Sequence, residues 1–368
     1  MMTEELVRIT DQQLQSKVIS FLRFPLIVGV LFIHSQTSLA VVGGISNLNT
    51  PVFNIVRDLF SYILSAVAVP LFFIMSGYLF FYNTEFSKEC YKDKLKKRWR
   101  TLVIPYMFWN GIYLLFNVLV AYVPSLSAMF KGSPISWEYV VTAFWGCTKG
   151  VDCIYPIAYQ FWFIRDLIVM VLISPLLYIY VRCTRNLGIT IIGLLWMLNI
   201  SIPYFGMRGM SSVAIFFFML GAWFSINKKI LITECRNLAT VAYIAYPLLV
   251  IADLLTIHED YNIFIHNLGI MVGIVFSFNI ACWLVQKMRM ANIAFWSSVS
   301  FFVFAIHDPW ILTQIRKVEI AVFHPNNDFV LLLLYFVNVL LTILIAVSIY
   351  LVTKKVAPHF IAVITGGR

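Results

Sequence analysis

Arg23 and His34 stand eleven positions apart inside the first long apolar stretch of this chain. Ionisable side chains in such a stretch cost on the order of a few kcal/mol unless they serve something. Eleven residues make almost three whole helical turns, so the guanidinium and the imidazole project from one face, roughly 16 Å apart along the axis. One helix can therefore hold an anion near a membrane surface and a base deep inside.

Those two residues need a helical, water-poor setting, and composition supplies one. Of 368 residues, 61% are hydrophobic and only 12% charged, with a mean hydropathy of +0.86. Such a chain has too little polar surface to coat a soluble globule and reads as a polytopic, all-α integral membrane protein. A formal net charge of +10 could suggest nucleic acid, but there is no Arg-rich arm, zinc-finger spacing or polar domain to bind it.

Apolar runs near 20 residues place spans at about 18–42, 56–82, 102–124, 161–181, 188–204, 211–226, 238–257, 266–286, 293–313 and 329–353, a bundle of about ten transmembrane helices. The fifth and sixth are the shortest. Residues 1–17 form an N-terminal segment, 18–353 one ten-span membrane domain, and 354–368 a tail. The first apolar run is too long for a signal-peptide core and has no small-residue cleavage site, so it is expected to be retained. Loops on the side of the N-terminus carry nineteen Lys and Arg against six in the opposite loops, which predicts both termini in the cytoplasm.

Most of the basic residues are thus an insertion signal. Lys94 to Arg100, KLKKRWR, is denser than insertion requires and runs straight into span three. It reads either as a stop-transfer or anionic-lipid patch or as a docking site for a phosphorylated ligand through Lys97, Arg98 and Arg100. Span two closes with Ser76, Gly77 and Tyr78 at the same level, where small residues let a helix or a ligand approach the backbone.

Counting residues along each span sets depth. His34 comes to rest in the middle-to-outer membrane, roughly 24 Å in from the cytoplasmic end. His307 and Asp308 of span nine and Asp253 of span seven share that level, while Trp162, Arg165 and Asp166 sit at the outer mouth of span four. Such groups are expected to avoid lipid and to line one polar chamber. Other uses stay open: His34 and His307 as hydrogen-bonding residues between helices, Asp308 before Pro309 as a cap or kink, and Asp253 in a structural ion pair. Arg165 and Asp166 either neutralise each other, or Asp166 pairs with Arg57.

The constellation resembles the membrane acyltransferase type 3 family. The resemblance rests on Arg23-x10-His34, Pro70-Leu71-Phe72-Phe73-Ile74-Met75-Ser76-Gly77-Tyr78, Lys97-Arg98 followed by Ile104-Pro105-Tyr106, Phe161-Trp162-Phe163-Ile164-Arg165-Asp166-Leu167, and Ser300-Phe301-Phe302-Val303-Phe304-Ala305-Ile306-His307, in order over nearly the whole chain. It implies a ten-span bacterial inner-membrane O-acyltransferase that moves an acyl group, commonly acetyl, from cytoplasmic acyl-coenzyme A to a hydroxyl of a surface glycan or related envelope molecule. It also implies that Arg23 and His34 are its span-one pair. Where many members read Trp-Ser-Leu and then glutamate in span four, this chain has Trp162-Phe163-Ile164-Arg165-Asp166, so a glutamate role finds no matching residue. No soluble hydrolase-like domain is appended, so a second, extracytoplasmic transfer step is not expected within this polypeptide.

On the residues alone, His34 suits a general base, since an imidazole titrates near about 6.5 and such a base contributes about 10²- to 10⁴-fold in rate. Arg23 suits the anionic part of a donor. The rival is a glycan or lipid-linked sugar transporter or flippase, which also needs buried charges but is usually built from inverted repeats that are not visible here. Six cysteines and six histidines form no metal-ligand pattern, so no metal is expected. Cys147 and Cys153 share the long outer loop at about 125–160 and could form a disulfide there. Trp137, Trp145, Tyr155 and Tyr159 of that loop are expected to anchor at the interface or to stack on sugar.

Overall fold

The computed structural model of the protein describes residues 10–42, 50–82, 86–124, 135–146, 155–200, 209–287 and 292–367. Cys147 and Cys153 lie outside the described residues. In chain order the helices are α1 (Asp11–Val42), α2 (Pro51–Arg57), α3 (Ala68–Phe81), α4 (Lys88–Arg98), α5 (Ile104–Tyr122), α6 (Trp137–Thr142), α7 (Trp162–Leu172), α8 (Ser174–Met197), α9 (Ser212–Ile226), α10 (Leu231–Asn237), α11 (Ala239–Thr256), α12 (Asn262–Lys287), α13 (Ile293–Ile306), α14 (Leu312–Phe323), α15 (Asp328–Val356) and α16 (Pro358–Ile364). No strand occurs among the described residues. Among the described residues, seven helical runs are long and apolar enough to cross a membrane, or nine if each of two sharply bent pairs counts once. The protein is an all-helical, multi-pass membrane protein.

The difference from ten lies mainly between residues 161 and 204. There α7 and α8 meet at a 66° bend at Ile173, and the loop expected between spans four and five is reduced to one break inside α8. At that break Arg185 has φ 51 and ψ −125, outside the helical range. The Tyr180 hydroxyl, upstream of it, donates to the Gly188 carbonyl at 3.3 Å, downstream of it. The break falls within the polar run at 182–186, where the loop is expected, but only Arg185 leaves helical geometry.

The basic block is not a loop. From Lys88 to Tyr122 the helix is continuous through a π-helical turn at Trp99–Val103. Lys and Arg are good helix formers, and the Ser87 hydroxyl caps the start by accepting from the Cys90 N–H at 3.2 Å. Lys94 turns back to donate to the Phe80 carbonyl, where α3 ends with unpaired acceptors.

Two glycines bring α3 and α9 together. A Cβ added at Gly77 would lie 2.0 Å from the Phe218 carbonyl oxygen, and one at Gly221 2.1 Å from that of Ile74. Backbone therefore meets backbone at this crossing, the use of small residues typical of helices in lipid. Gly77 serves this contact, with its Cα face turned to α9.

A candidate active site below His34

The polar centre is assembled where α13 breaks. Proline lacks an N–H and pushes the preceding residue out of helical geometry, and Asp308, before Pro309, is extended at φ −137 and ψ 143. That break swings its buried carboxylate into the bundle. One carboxylate oxygen accepts from the Tyr159 hydroxyl and the other from the Thr313 hydroxyl. Its carbonyl accepts from Tyr113 and, at 2.7 Å, from Gln160 Nε2.

Since Tyr159 gives its proton to Asp308, its oxygen accepts from His34 Nδ1 across 2.9 Å. This Asp308–Tyr159–His34 chain fixes the tautomer: Nδ1 carries the proton and Nε2 is the basic nitrogen. Beside it, the His307 ring centre lies 5.0 Å from that of His34. His307 is fully buried, its Nδ1 donates to the Phe304 carbonyl at 2.6 Å, and its Nε2 has no hydrogen-bond partner among the described residues. Two imidazoles thus lie side by side, each held through Nδ1.

A second feature opens nearer the start of α1. A narrow cavity of about 90 Å³ is bordered by Arg23, Arg98, Ser76, Ser297, Ser300 and Phe304. Arg23 donates to the Ser297 hydroxyl at 3.2 Å. Two guanidiniums on one cavity are chemically suited to an anion, since Arg forks match phosphate and carboxylate oxygens. The cavity runs past Ile27 and stops short of the imidazoles. Phe304 stands between, lining the cavity while its ring centre is 6.0 Å from that of His307.

Of the residues picked out from sequence, the structure brings His34, His307 and Asp308 together, and Arg23, Ser76 and Arg98 together. Lys97 and Arg100 are exposed and do not border the cavity. Tyr78 faces a different cavity. Trp162 is half-buried at the start of α7, outside the hydrogen-bonded chain. Arg165 and Asp166 neutralise each other at 2.9 Å and act as a clamp. Arg165 donates to the Trp145 carbonyl at 2.7 Å, and Asp166 accepts from the Ser211 N–H at 3.1 Å at the start of α9. Arg57 instead binds Asp58 at 2.8 Å.

Asp253 belongs to yet another cluster. It accepts from His266 at 2.8 Å and from Asn262 at 2.8 Å, and the His266 ring stacks on Tyr62 with centres 4.2 Å apart. Six of the seven residues expected to share one chamber divide into three separate clusters, and Trp162 joins none of them.

Sequence reasoning missed Tyr113, Gln160, Thr313 and Ser297, and assigned Tyr159 to the interface. Uncharged hydroxyls and amides are too common to stand out, and only Tyr159's position just before the Trp162 motif hinted at more.

A family model described as an acyltransferase domain, that of the type 3 acyltransferases, matches residues 17–351. The Succinoglycan biosynthesis protein ExoH of Rhizobium meliloti (strain 1021) is 24% identical over 367 residues, covering 95% of this chain and 92% of that relative. No solved structure matches. On the family match over nearly its whole length, the chain belongs to the type 3 acyltransferase family and is an acyltransferase.

Proposed function

We propose that the protein transfers an acyl group, acetyl being the simplest, from cytoplasmic acyl-coenzyme A to a hydroxyl of a cell-surface glycan. The observation that carries this reading is the Asp308–Tyr159–His34 chain, which presents His34 Nε2 as a base in line with an Arg-lined cavity on the same helix. The relative's name, a succinoglycan biosynthesis protein, supports a glycan acceptor. No observation favours the carrier reading.

The chemistry needs one base and one anion holder. His34 Nε2 takes the proton of the acceptor hydroxyl as its oxygen attacks the thioester carbonyl. The C–O bond forms, the C–S bond breaks, and the departing thiolate recovers the proton from the imidazolium, so free coenzyme A and an ester result with no net proton. Asp308, through Tyr159, stabilises the charged imidazole. His307 is the neighbouring base able to exchange that proton, and Arg23 and Arg98 orient the donor's anionic portion.

In this reading the chain lies in a bacterial inner membrane with ten crossings and both termini in the cytoplasm, the break at Arg185 serving as the turn between the fourth and fifth. Ser76 and Arg98 then face the donor side, with Lys97 and Arg100 attracting it from outside the cavity. The test is incubation of purified protein with radiolabelled acetyl-coenzyme A and isolated envelope glycan. Label should pass to the glycan in base-labile form with wild type and not with His34→Ala; label transfer that is equal in both removes His34 from the mechanism.

A further inference from the structure

On the other side of α3 from the Arg23 cavity lies a larger one, of about 800 Å³. That lies in the upper part of the roughly 300–1,000 Å³ range of small-molecule sites. Aromatic rings make its walls: Tyr78 and Tyr82, with centres 5.4 Å apart, and Phe86 and Tyr178, 4.9 Å apart. Arg182, 6.0 Å above the Tyr178 ring, and Lys228 flank it. The Ser225 hydroxyl also lines it, buried and without a hydrogen-bond partner among the described residues. Nothing in the acyl-transfer chemistry above uses these residues.

We infer that this basin binds the adenosine end of the acyl donor, a planar base with its ribose phosphate, while Arg23 and Arg98 hold the pyrophosphate at the smaller cavity and that cavity takes the slender arm that carries the thioester. The inference rests on the acyl-coenzyme A reading. Its support is chemical: aromatic faces stack on bases, cations hold phosphates, and an orphaned buried hydroxyl fits a ribose or phosphate oxygen. The narrower cavity, bordered largely by apolar side chains such as Ile27, Met75 and Leu167, suits an arm and not a base. Ser76 and Tyr78, two positions apart on α3, border one cavity each. An anionic lipid headgroup would share the phosphate chemistry but has no base for the rings to stack on.

The experiment uses the full chain in phosphatidylcholine nanodiscs. Adenosine 3′,5′-bisphosphate, which has the nucleotide and no arm, is titrated against wild type, Arg182→Ala with Lys228→Ala, and Tyr178→Leu. Arg182 and Lys228 are exposed, so their replacement leaves the core intact. The variants should bind the bisphosphate about ten-fold or more weakly, a loss of about 1.4 kcal/mol. They should also raise KM for acetyl-coenzyme A by a similar factor while leaving turnover of S-acetyl-N-acetylcysteamine, which lacks the nucleotide, within about two-fold of wild type.

Bisphosphate binding that is lost in the variants supports the basin even if acetyl-coenzyme A is never turned over, and that second result would defeat the donor reading alone. Absence of bisphosphate binding to wild type, or equal damage to both donors, overturns the inference. So does binding of phosphatidylglycerol vesicles that depends on Arg182 and Lys228 while bisphosphate binding does not.

Discussion

His34 Nδ1 and the Tyr159 hydroxyl oxygen lie 2.9 Å apart, and the hydroxyl proton is committed to Asp308. The base is therefore oriented by a neutral side chain, with the carboxylate one step removed. Removing the intermediary separates positioning from chemistry. Tyr159→Phe should lower kcat about ten-fold or more, in line with loss of a hydrogen bond worth about 1.5–3 kcal/mol, and leave donor KM near wild type. Unchanged kcat in a correctly folded Tyr159→Phe protein would show the chain to be incidental.

His34→Ala should cost about 10²-fold or more in transfer rate while the protein still inserts. If His307 exchanges the same proton, the double variant with His307→Ala should be little slower than His34→Ala alone, because residues acting as a unit are not additive. Fully additive losses, measured as kcat in single-turnover assays, would place the two imidazoles in separate steps.

Arg98 and Lys97 are sequence neighbours with different surroundings: Arg98 borders the cavity with Arg23, and Lys97 is exposed. Arg98→Ala should weaken acyl-coenzyme A binding markedly, whereas Lys97→Ala should act mainly through a salt-sensitive association step, since exposed charges are screened within about 8–10 Å. Calorimetric titration at low and high salt distinguishes the two, and equal loss in both variants would reduce the block to a diffuse surface charge.

Phe304 separates the Arg23 cavity from His307. Replacing it with Ala should join the two spaces and admit water, so that acetyl-coenzyme A is hydrolysed without acceptor faster than by wild type. Thiol release that stays at the wild-type rate would place the donor's path elsewhere.

Gly77→Ala should force α3 from α9, because the new methyl would meet the Phe218 carbonyl oxygen at 2.0 Å. Overpacking of this kind costs about 1–3 kcal/mol, read as a lower melting temperature in detergent. Ser76→Ala, on the cavity side, should leave the melting temperature unchanged, which identifies Gly77 as a packing residue beside a site residue.

Much of this protein was written in local pattern. Apolar run length demanded a helical membrane bundle, because only helices or closed barrels satisfy backbone polar groups in lipid. The eleven-residue spacing put Arg23 and His34 on one face of α1, and both point into the bundle's polar features in the fold. The resemblance motifs led to the family that the matching domain bears out.

Grouping was a different matter. Depth along a span follows from counting residues, but which residues meet depends on how each helix is rotated and where it breaks. Residue counting assigns Asp166, Asp253 and Asp308 to similar outer levels, yet in the fold they pair with Arg165, His266 and Tyr159 respectively. The break at Asp308, with extended dihedrals ahead of Pro309, aimed one carboxylate at the histidines, and the 66° bend at Ile173 put another on the clamp at Trp145 and Ser211. Sequence determined which chemistry this protein carries and on which helices, since composition and helical period are local properties. Tertiary structure alone decided that His34 is tuned through Tyr159 and that Ser76 and Tyr78 serve different cavities, because helix rotation and closest approach are set by packing between segments hundreds of residues apart in the chain.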